Sequence, residues 1–285
     1  MESYVNNHDA FIDVQSYPSI FNDVIGPVMR GPSSSHCAAA LRIGRLARDL
    51  MGGSLQQVWV AFDANGSLAT THQSQGSDMG LCGGLLGWDA TDERLVTSTQ
   101  AIREAGIALE IQVTDFDAAH PNTYRLTLHN AAETHRMTAI STGGGMIEVI
   151  EIDGAPLSIR GDYYETLLYV DAEGEQLAQA LAQRTDADAV TFHSSPQMSF
   201  VEIKAHQHWT PDLLAQIGIE CDVCQIKTLS PVLPVLSRKD VRVPFSTCAE
   251  MMAYNAGQNR DLWELALHYE CARGNLSRQQ VILKM

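Results

Sequence analysis

Gly26-Pro27-Val28-Met29-Arg30-Gly31-Pro32-Ser33-Ser34-Ser35-His36 is the stretch from which the rest of the chain is read. Two Gly-Pro pairs frame a loop whose tip carries three consecutive hydroxyls and an imidazole. An Ala-rich helical pattern follows at once, over about residues 37–51. Pro32 fixes φ, and Ser33, Ser34 and Ser35 are strong N-cap types, so the loop feeds backbone N–H groups and hydroxyls into one concave spot. A helix N-terminus there favours an anion such as a carboxylate or a phosphate. His36 is the one group of the run that exchanges a proton near neutral pH. Taken alone, such a run is a capped helix after a tight turn. The Pro-Ser-Ser-Ser-His string is too particular for that reading.

In the helix, Leu41, Ile43, Leu46, Ala47 and Leu50 supply a core face, while Arg42, Arg45 and Arg48 recur on another. Arg42 could help to bind a carboxylate, but a solvated basic stripe is the expectation. Residues 58–62 alternate as a strand, and Asn65-Gly66 signals a turn. The polar run Thr70-Thr71-His72-Gln73-Ser74-Gln75-Gly76-Ser77-Asp78 then enters the apolar, Gly-rich residues 79–88. This is a second loop-to-helix junction, its glycines allowing close packing. By themselves His72 reads as a polar loop residue and Asp78 as a helix cap.

A charged turn follows at 89–94, then a helix over 97–105 ending at Gly106, and a strand over 108–113. His120-Pro121-Asn122-Thr123 leads into a strand over 124–128. A further strand, 138–142, enters Gly143-Gly144-Gly145, and 146–152 continues apolar. Three glycines together permit positive φ and a close backbone approach. They do not match the Gly-x-Gly-x-x-Gly spacing after a strand, which excludes a dinucleotide fold.

Asp153-Gly154 and Arg160-Gly161-Asp162 mark a boundary. Beyond it the order is strand (165–170), helix (175–183), strand (189–193), strand (199–205), helix (210–217), strand (220–226). That is the β-α-β-β-α-β plan of ferredoxin-like domains. Cys221 and Cys224 form a Cys-x-x-Cys without the second pair zinc needs, and read as two free thiols on a strand edge. Residues 231–244 read as a linker, and 246–254, 260–273 and 277–285 as helices.

The chain has 285 residues, enough for one large or two ordinary domains. It carries 34 acidic against 19 basic residues, a formal charge of −15, which argues against nucleic acid and anionic membranes as main partners. A local nest of N–H groups binds a small anion even so. No apolar run approaches the roughly 20 residues of a membrane span, and residues 1–9 lack the plan of a signal peptide. Six scattered cysteines do not form a secreted disulfide scaffold, so a reducing cytoplasm is expected.

The Gly-Pro-Ser-Ser-Ser-His string resembles the β half of the iron–sulfur L-serine dehydratases. Gly76-Ser77-Asp78 with Gly83-Gly84-Leu85-Leu86-Gly87 and Asp92-Glu93-Arg94 resembles the family's next block, and His120-Pro121-Asn122-Thr123 and Gly143-Gly144-Gly145 two more. The resemblance implies an α/β (α+β) chain. It has an N-terminal tail (1–18), a serine-dehydratase β-type substrate-binding domain (19–160), an ACT-like ferredoxin-type domain (161–230), and a linker with a helical tail resembling the start of the α half (231–285).

It further implies that Ser33, Ser34, Ser35, Asp78, His120, Asn122 and Gly144 bind an amino-acid substrate, with His36 as the catalytic group. L-serine would go to pyruvate and ammonia. A four-iron (4Fe-4S) cluster, acting as Lewis acid on the departing hydroxyl, would sit on an α-type partner chain in a homo- or hetero-oligomer, because no set of three or four cysteines here could ligate one. Two departures stand out. Cys37 replaces a threonine common in the family, and Ser74-Gln75-Gly76-Ser77-Asp78 replaces Gly-His-Gly-Thr-Asp, so that an amide stands where an imidazole is usual. The competing expectation is a non-catalytic amino-acid sensor that keeps the pocket and the ACT-like domain.

Overall fold

A computed structural model of the protein describes residues 17–24, 29–171 and 173–284. Gly26, Pro27 and Val28 of the first loop, and nearly all of the tail expected over 1–18, lie outside the described residues. The chain falls into two compact units, Phe21–Leu236 and a second that joins Ser237–Met285 to the N-terminal residues up to Ile20.

The larger unit opens with α1 (Ser34–Leu50) and β1 (Gln57–Asp63), whose side chains alternate between half-buried and buried as the sequence pattern requires. A short α2 (Leu68–Thr71), not expected from the sequence, precedes α3 (Ser77–Leu85). Then come α4 (Ser98–Glu104), β2 (Ala108–Thr114), β3 (Thr123–His129), β4 (Thr134–Gly143), β5 (Met146–Ile152) and β6 (Ala155–Ile159). The six strands lie in the order β2-β1-β3-β4-β5-β6, with β1 and β2 parallel and the remaining pairs antiparallel. β4 starts four residues before its expected start because His135 is buried there, its Nδ1 held 2.7 Å from Asp153. β6 was hidden by Pro156, which is tolerated because β6 is an edge strand.

α1 and α3 cross in intimate contact. A Cβ on Gly80 would land on the carbonyl of Cys37, and one on Gly84 on the carbonyl of Leu41. Glycine at these positions lets the two backbones touch, which brings the N-termini of both helices to one place.

Within the same unit follow β7 (Tyr164–Val170), α5 (Gly174–Arg184), β8 (Ala189–Ser194), β9 (Ser199–Ala205), α6 (Pro211–Glu220) and β10 (Val223–Leu229). The strands form an antiparallel sheet in the order β10-β7-β9-β8, the arrangement the β-α-β-β-α-β pattern predicts. α6 starts at Pro211, with Thr210 accepting the Leu213 N–H, and runs to Glu220, so β10 begins three residues later than expected. Leu168, Val201 and Ile203 face Ala178, Leu181 and Ile217 of the helices. Leu167, Tyr169, Phe200 and Leu229, on the opposite face, join the core of the six-stranded sheet. Cys221 caps α6 and Cys224 lies on the edge strand β10, both as free thiols.

The smaller unit holds α7 (Cys248–Asn255), α8 (Leu262–Gly274) and α9 (Arg278–Lys284). Thr247 with Glu250, and Asp261 with Glu264, form capping boxes at the starts of α7 and α8. The carbonyls of Tyr17 and Pro18 accept hydrogen bonds from Arg273 and Tyr269 of α8, so the last residues of the expected tail are pinned. No helix among the described residues is long and apolar enough to cross a membrane.

Candidate active site

Ser33 is the N-cap of α1, with extended dihedrals (φ −109°, ψ 112°), and the helix starts three residues earlier than its sequence pattern suggests. Its hydroxyl does not cap the helix. It lies 2.9 Å from Nδ1 of His36 and 3.5 Å from the Ser35 hydroxyl. Cys37 N–H is taken by the Ser33 carbonyl at 3.0 Å, and the N–H groups of Ser34, Ser35 and His36 have no partner among the described residues. Such a helix end presents unpaired donors and the positive pole of the dipole. Ser34 is exposed, while Ser33, Ser35 and His36 are half-buried.

The second loop-to-helix junction closes on this tip. Ser33 N–H donates to the Gln75 carbonyl at 3.2 Å, and Pro32 packs against Gly76, the left-handed N-cap of α3 (φ 84°). Asp78 therefore does not cap α3. Its carboxylate lies 2.7 Å from Nδ1 of His72, which follows directly on α2. The His72 ring also leans on Phe62 of β1, with centroids 5.1 Å apart.

Arg42 departs most from expectation. It is no part of a solvated stripe: it is 3% exposed, and its Nη1 donates to the carbonyl of Gly145. Burial lowers its pKa to about 10, against the opposing charge of Asp23. Arg45 pairs with Asp89, and Arg48 donates to the Leu85 carbonyl at 3.1 Å. A step of three residues falls about 60° short of a full helical turn, so three arginines so spaced spiral round the helix. Gly145 is buried against Met29, Ala38 and Arg42, whereas Gly144 stands exposed with nothing around it.

His120 and Asn122 form a separate group at the start of β3. Nδ1 of His120 accepts the Asn122 N–H at 3.1 Å, and the Asn122 side chain takes a hydrogen bond from Ser67, the N-cap of α2. α2 thus runs from this group to His72. No hydrogen bond joins His120 or Asn122 to Ser33 or His36 among the described residues.

Several buried polar atoms here lack protein partners: Nε of Arg30, Nη2 of Arg42, and the hydroxyls of Ser77 and Tyr124. Ser77 and Tyr124 lie side by side without meeting in a well-formed hydrogen bond, and burial raises the Tyr124 phenol to about 12. Buried polar atoms are ordinarily satisfied, so these four are exceptions that cluster around the α1–α3 contact and its sheet. Tyr124 is the first residue of the strand expected over 124–128, and nothing in the local pattern distinguishes its hydroxyl.

The cysteines do not make a cluster site. Cys37 and Cys82 are buried, and burial raises both thiols, Cys82 to about 12 with help from the Asp78 charge. Thiols so held are poor metal ligands. Among the described residues no group of three or more His, Cys, Asp or Glu is placed to hold a metal ion.

The site is thus a serine tip at an unpaired helix N-terminus, set in a mixed α/β domain. No family model matches the chain. Over 147 residues, 52% of this chain and 66% of the relative, it is 44% identical to the "Probable L-serine dehydratase, beta chain" of Bacillus subtilis (strain 168). Over 148 residues, 51% of this chain and 66% of the relative, it is 34% identical to the "L-serine dehydratase, beta chain" of Peptoniphilus asaccharolyticus. Through this half of its length the chain is similar to the beta chains of L-serine dehydratases. It spans just under two thirds of the length of the curated relatives it matches.

Proposed function

We propose that the chain is the β-type subunit of a lyase that converts L-serine, or a closely related amino acid, to pyruvate and ammonia. The observation that carries this reading is the α1 N-terminus, where three unpaired N–H groups and the hydroxyls of Ser33, Ser34 and Ser35 stand together. These donors fit the carboxylate of an amino acid, and the buried charge of Arg42 raises the local potential. His36, bonded to Ser33, orients that hydroxyl and holds or releases a proton at Nδ1. His120 and Asn122, half-buried at the head of β3, are read as further substrate contacts.

A four-iron cluster would supply Lewis acidity at the departing hydroxyl. This chain's described residues do not fit one, so the cluster is assigned to an α-type partner chain. The β-α-β-β-α-β half, residues 161–230, is read as an ACT-type domain, with the boundary at 160, and the complex as cytoplasmic. No finding favours the non-catalytic sensor.

The test is an anaerobic pull-down from native extract. It reads the eluate's visible spectrum and the production of pyruvate and ammonia from L-serine. A partner absorbing broadly near the iron–sulfur region, with turnover lost in His36→Ala, is expected. A colourless chain that binds an amino acid without converting it would overturn the reading.

A further inference from the structure

Three imidazoles lie in this region, and their hydrogen bonds set them apart. Nδ1 of His120 accepts a backbone N–H, which occupies the lone pair on that nitrogen. Nδ1 of His36 meets a hydroxyl, which serves as donor or acceptor. Nδ1 of His72 meets a carboxylate, which when ionised only accepts. Its proton therefore sits on Nδ1, and the basic lone pair is left on Nε2, which has no partner among the described residues. An imidazole oriented by a carboxylate, with Nε2 free, has the arrangement of a general base.

We propose that His72, oriented by Asp78, is the base that removes the Cα proton of an amino acid bound at the α1 N-terminus. The inference rests on the functional reading above. Its place in the fold supports it. The 72–78 turn is stitched to the serine tip by the Ser33 to Gln75 bond and by Pro32 on Gly76, and Asp78 N–H bonds the His72 carbonyl at 3.3 Å. The side chains of His72 and Asp78 are only 14% and 16% exposed, shelter that strengthens their attraction. Charged or titratable groups close to the pair are the Tyr124 phenol and the Cys82 thiol, both beside Asp78. The amide of Gln75, three residues on, cannot exchange a proton in this range, so His72 is the imidazole that this turn offers.

The step balances within substrate and imidazole. Nε2 takes the Cα proton, and the C–H electron pair becomes the second bond between Cα and Cβ. The Cβ–O pair leaves with the hydroxyl oxygen. That oxygen receives the proton back as water, leaving 2-aminoacrylate, which hydrolyses to pyruvate and ammonia.

The experiment uses the complex with its cluster-bearing partner, assayed for L-serine turnover across pH. Solvent exchange of the Cα hydrogen is followed by NMR in D2O. His72→Gln is expected to lower kcat by roughly 10²–10⁴-fold with little change in KM, and to abolish the exchange. Asp78→Asn keeps the shape but no longer demands a proton on Nδ1. It is expected to lower kcat and to move the acid limb of the kcat profile, and it decides the matter if His72→Gln fails to fold. Full exchange, unchanged kcat and an unmoved acid limb in the folded variants would overturn the inference alone. A wild-type complex that leaves L-serine untouched would overturn the functional reading and this inference with it.

Discussion

Nη1 of Arg42, in the middle of α1, donates to the carbonyl of Gly145 in the turn between β4 and β5. One bond thus ties the Gly-rich turn to the helix whose first residues form the serine tip. The other arm of the fork, Nη2, is buried without a partner.

Arg42→Met is therefore expected to leave the Gly145 carbonyl without its donor. A hydrogen bond to a charged group is worth about 1.5–3 kcal/mol, offset in part by relief of a buried charge. Urea denaturation should show a loss within that range. Serine KM in the reconstituted complex should rise by roughly tenfold as the positive potential is lost. Arg42→Lys keeps the charge but not the fork and should fall between. A Met variant with unaltered stability and KM would show that the turn is held by packing alone.

Gly80 and Gly84 set how closely α1 and α3 approach. Gly80→Ala puts a methyl onto the Cys37 carbonyl and must push the helices apart, a cost of about 1–3 kcal/mol for overpacking. Activity should fall with stability, because the same contact positions Ser33 against Gln75. Gly218→Ala, in α6 with only Ile226 near at 3.8 Å, is the control. It should be neutral or stabilise by about 0.5–1 kcal/mol through helix propensity. Equal chemical denaturation midpoints for the two variants would remove the close crossing as an explanation.

Much of this was legible in the sequence because it is local. The serine tip, the strand alternation of β1 and β3 and the β-α-β-β-α-β order each follow from residues that are neighbours in the chain. What was missed depends on how distant segments meet. His72 and Asp78 are six apart, off any helical or strand period, and pair only because Gly76 turns the chain with positive φ. Arg42 was assigned to solvent because spacing reveals a face but not what covers it; the cover is a turn about a hundred residues away. His135 broke the apolar pattern of β4 although it is 1% exposed, since its polarity is met by Asp153 from β5's turn.

Asp153 anchors a buried polar group between the two sheets. Its carboxylate takes hydrogen bonds from the Tyr169 hydroxyl (2.8 Å) and the Arg136 N–H (2.8 Å), and lies 2.7 Å from His135. Burial pushes the carboxyl up, but His135 and these hydrogen bonds outweigh it, and the net shift is downward. A depressed folded pKa contributes stability above the unfolded value, near pH 4, and that stability is lost as pH falls through the folded value. Asp153→Asn should cost roughly 3 kcal/mol at pH 7, and the difference from wild type should shrink below about pH 4. Thermal melts at both pH values test this; a gap that does not change with pH would mean that shape rather than charge matters at this position.

Glu165 presents the opposite sign. It is fully buried on β7, neither carboxyl oxygen has a hydrogen bond, and the Lys204 ammonium lies 3.7 Å away. Burial raises its pKa well above the usual carboxylate value, with Glu202 and Asp162 adding to the rise and Lys204 opposing it. A folded pKa above the unfolded one makes the protonated side chain the natively preferred form. Its cost to the fold then grows as pH climbs from the unfolded value, near 4.5, towards the folded one. Glu165→Gln copies the protonated shape and carries no charge. It should match wild type near pH 4.5 and exceed it in stability progressively above that, flattening the profile of melting temperature against pH. If the variant were instead less stable at pH 8 than wild type, Glu165 would be held ionised by Lys204, and the buried pair would be a stabilising salt bridge.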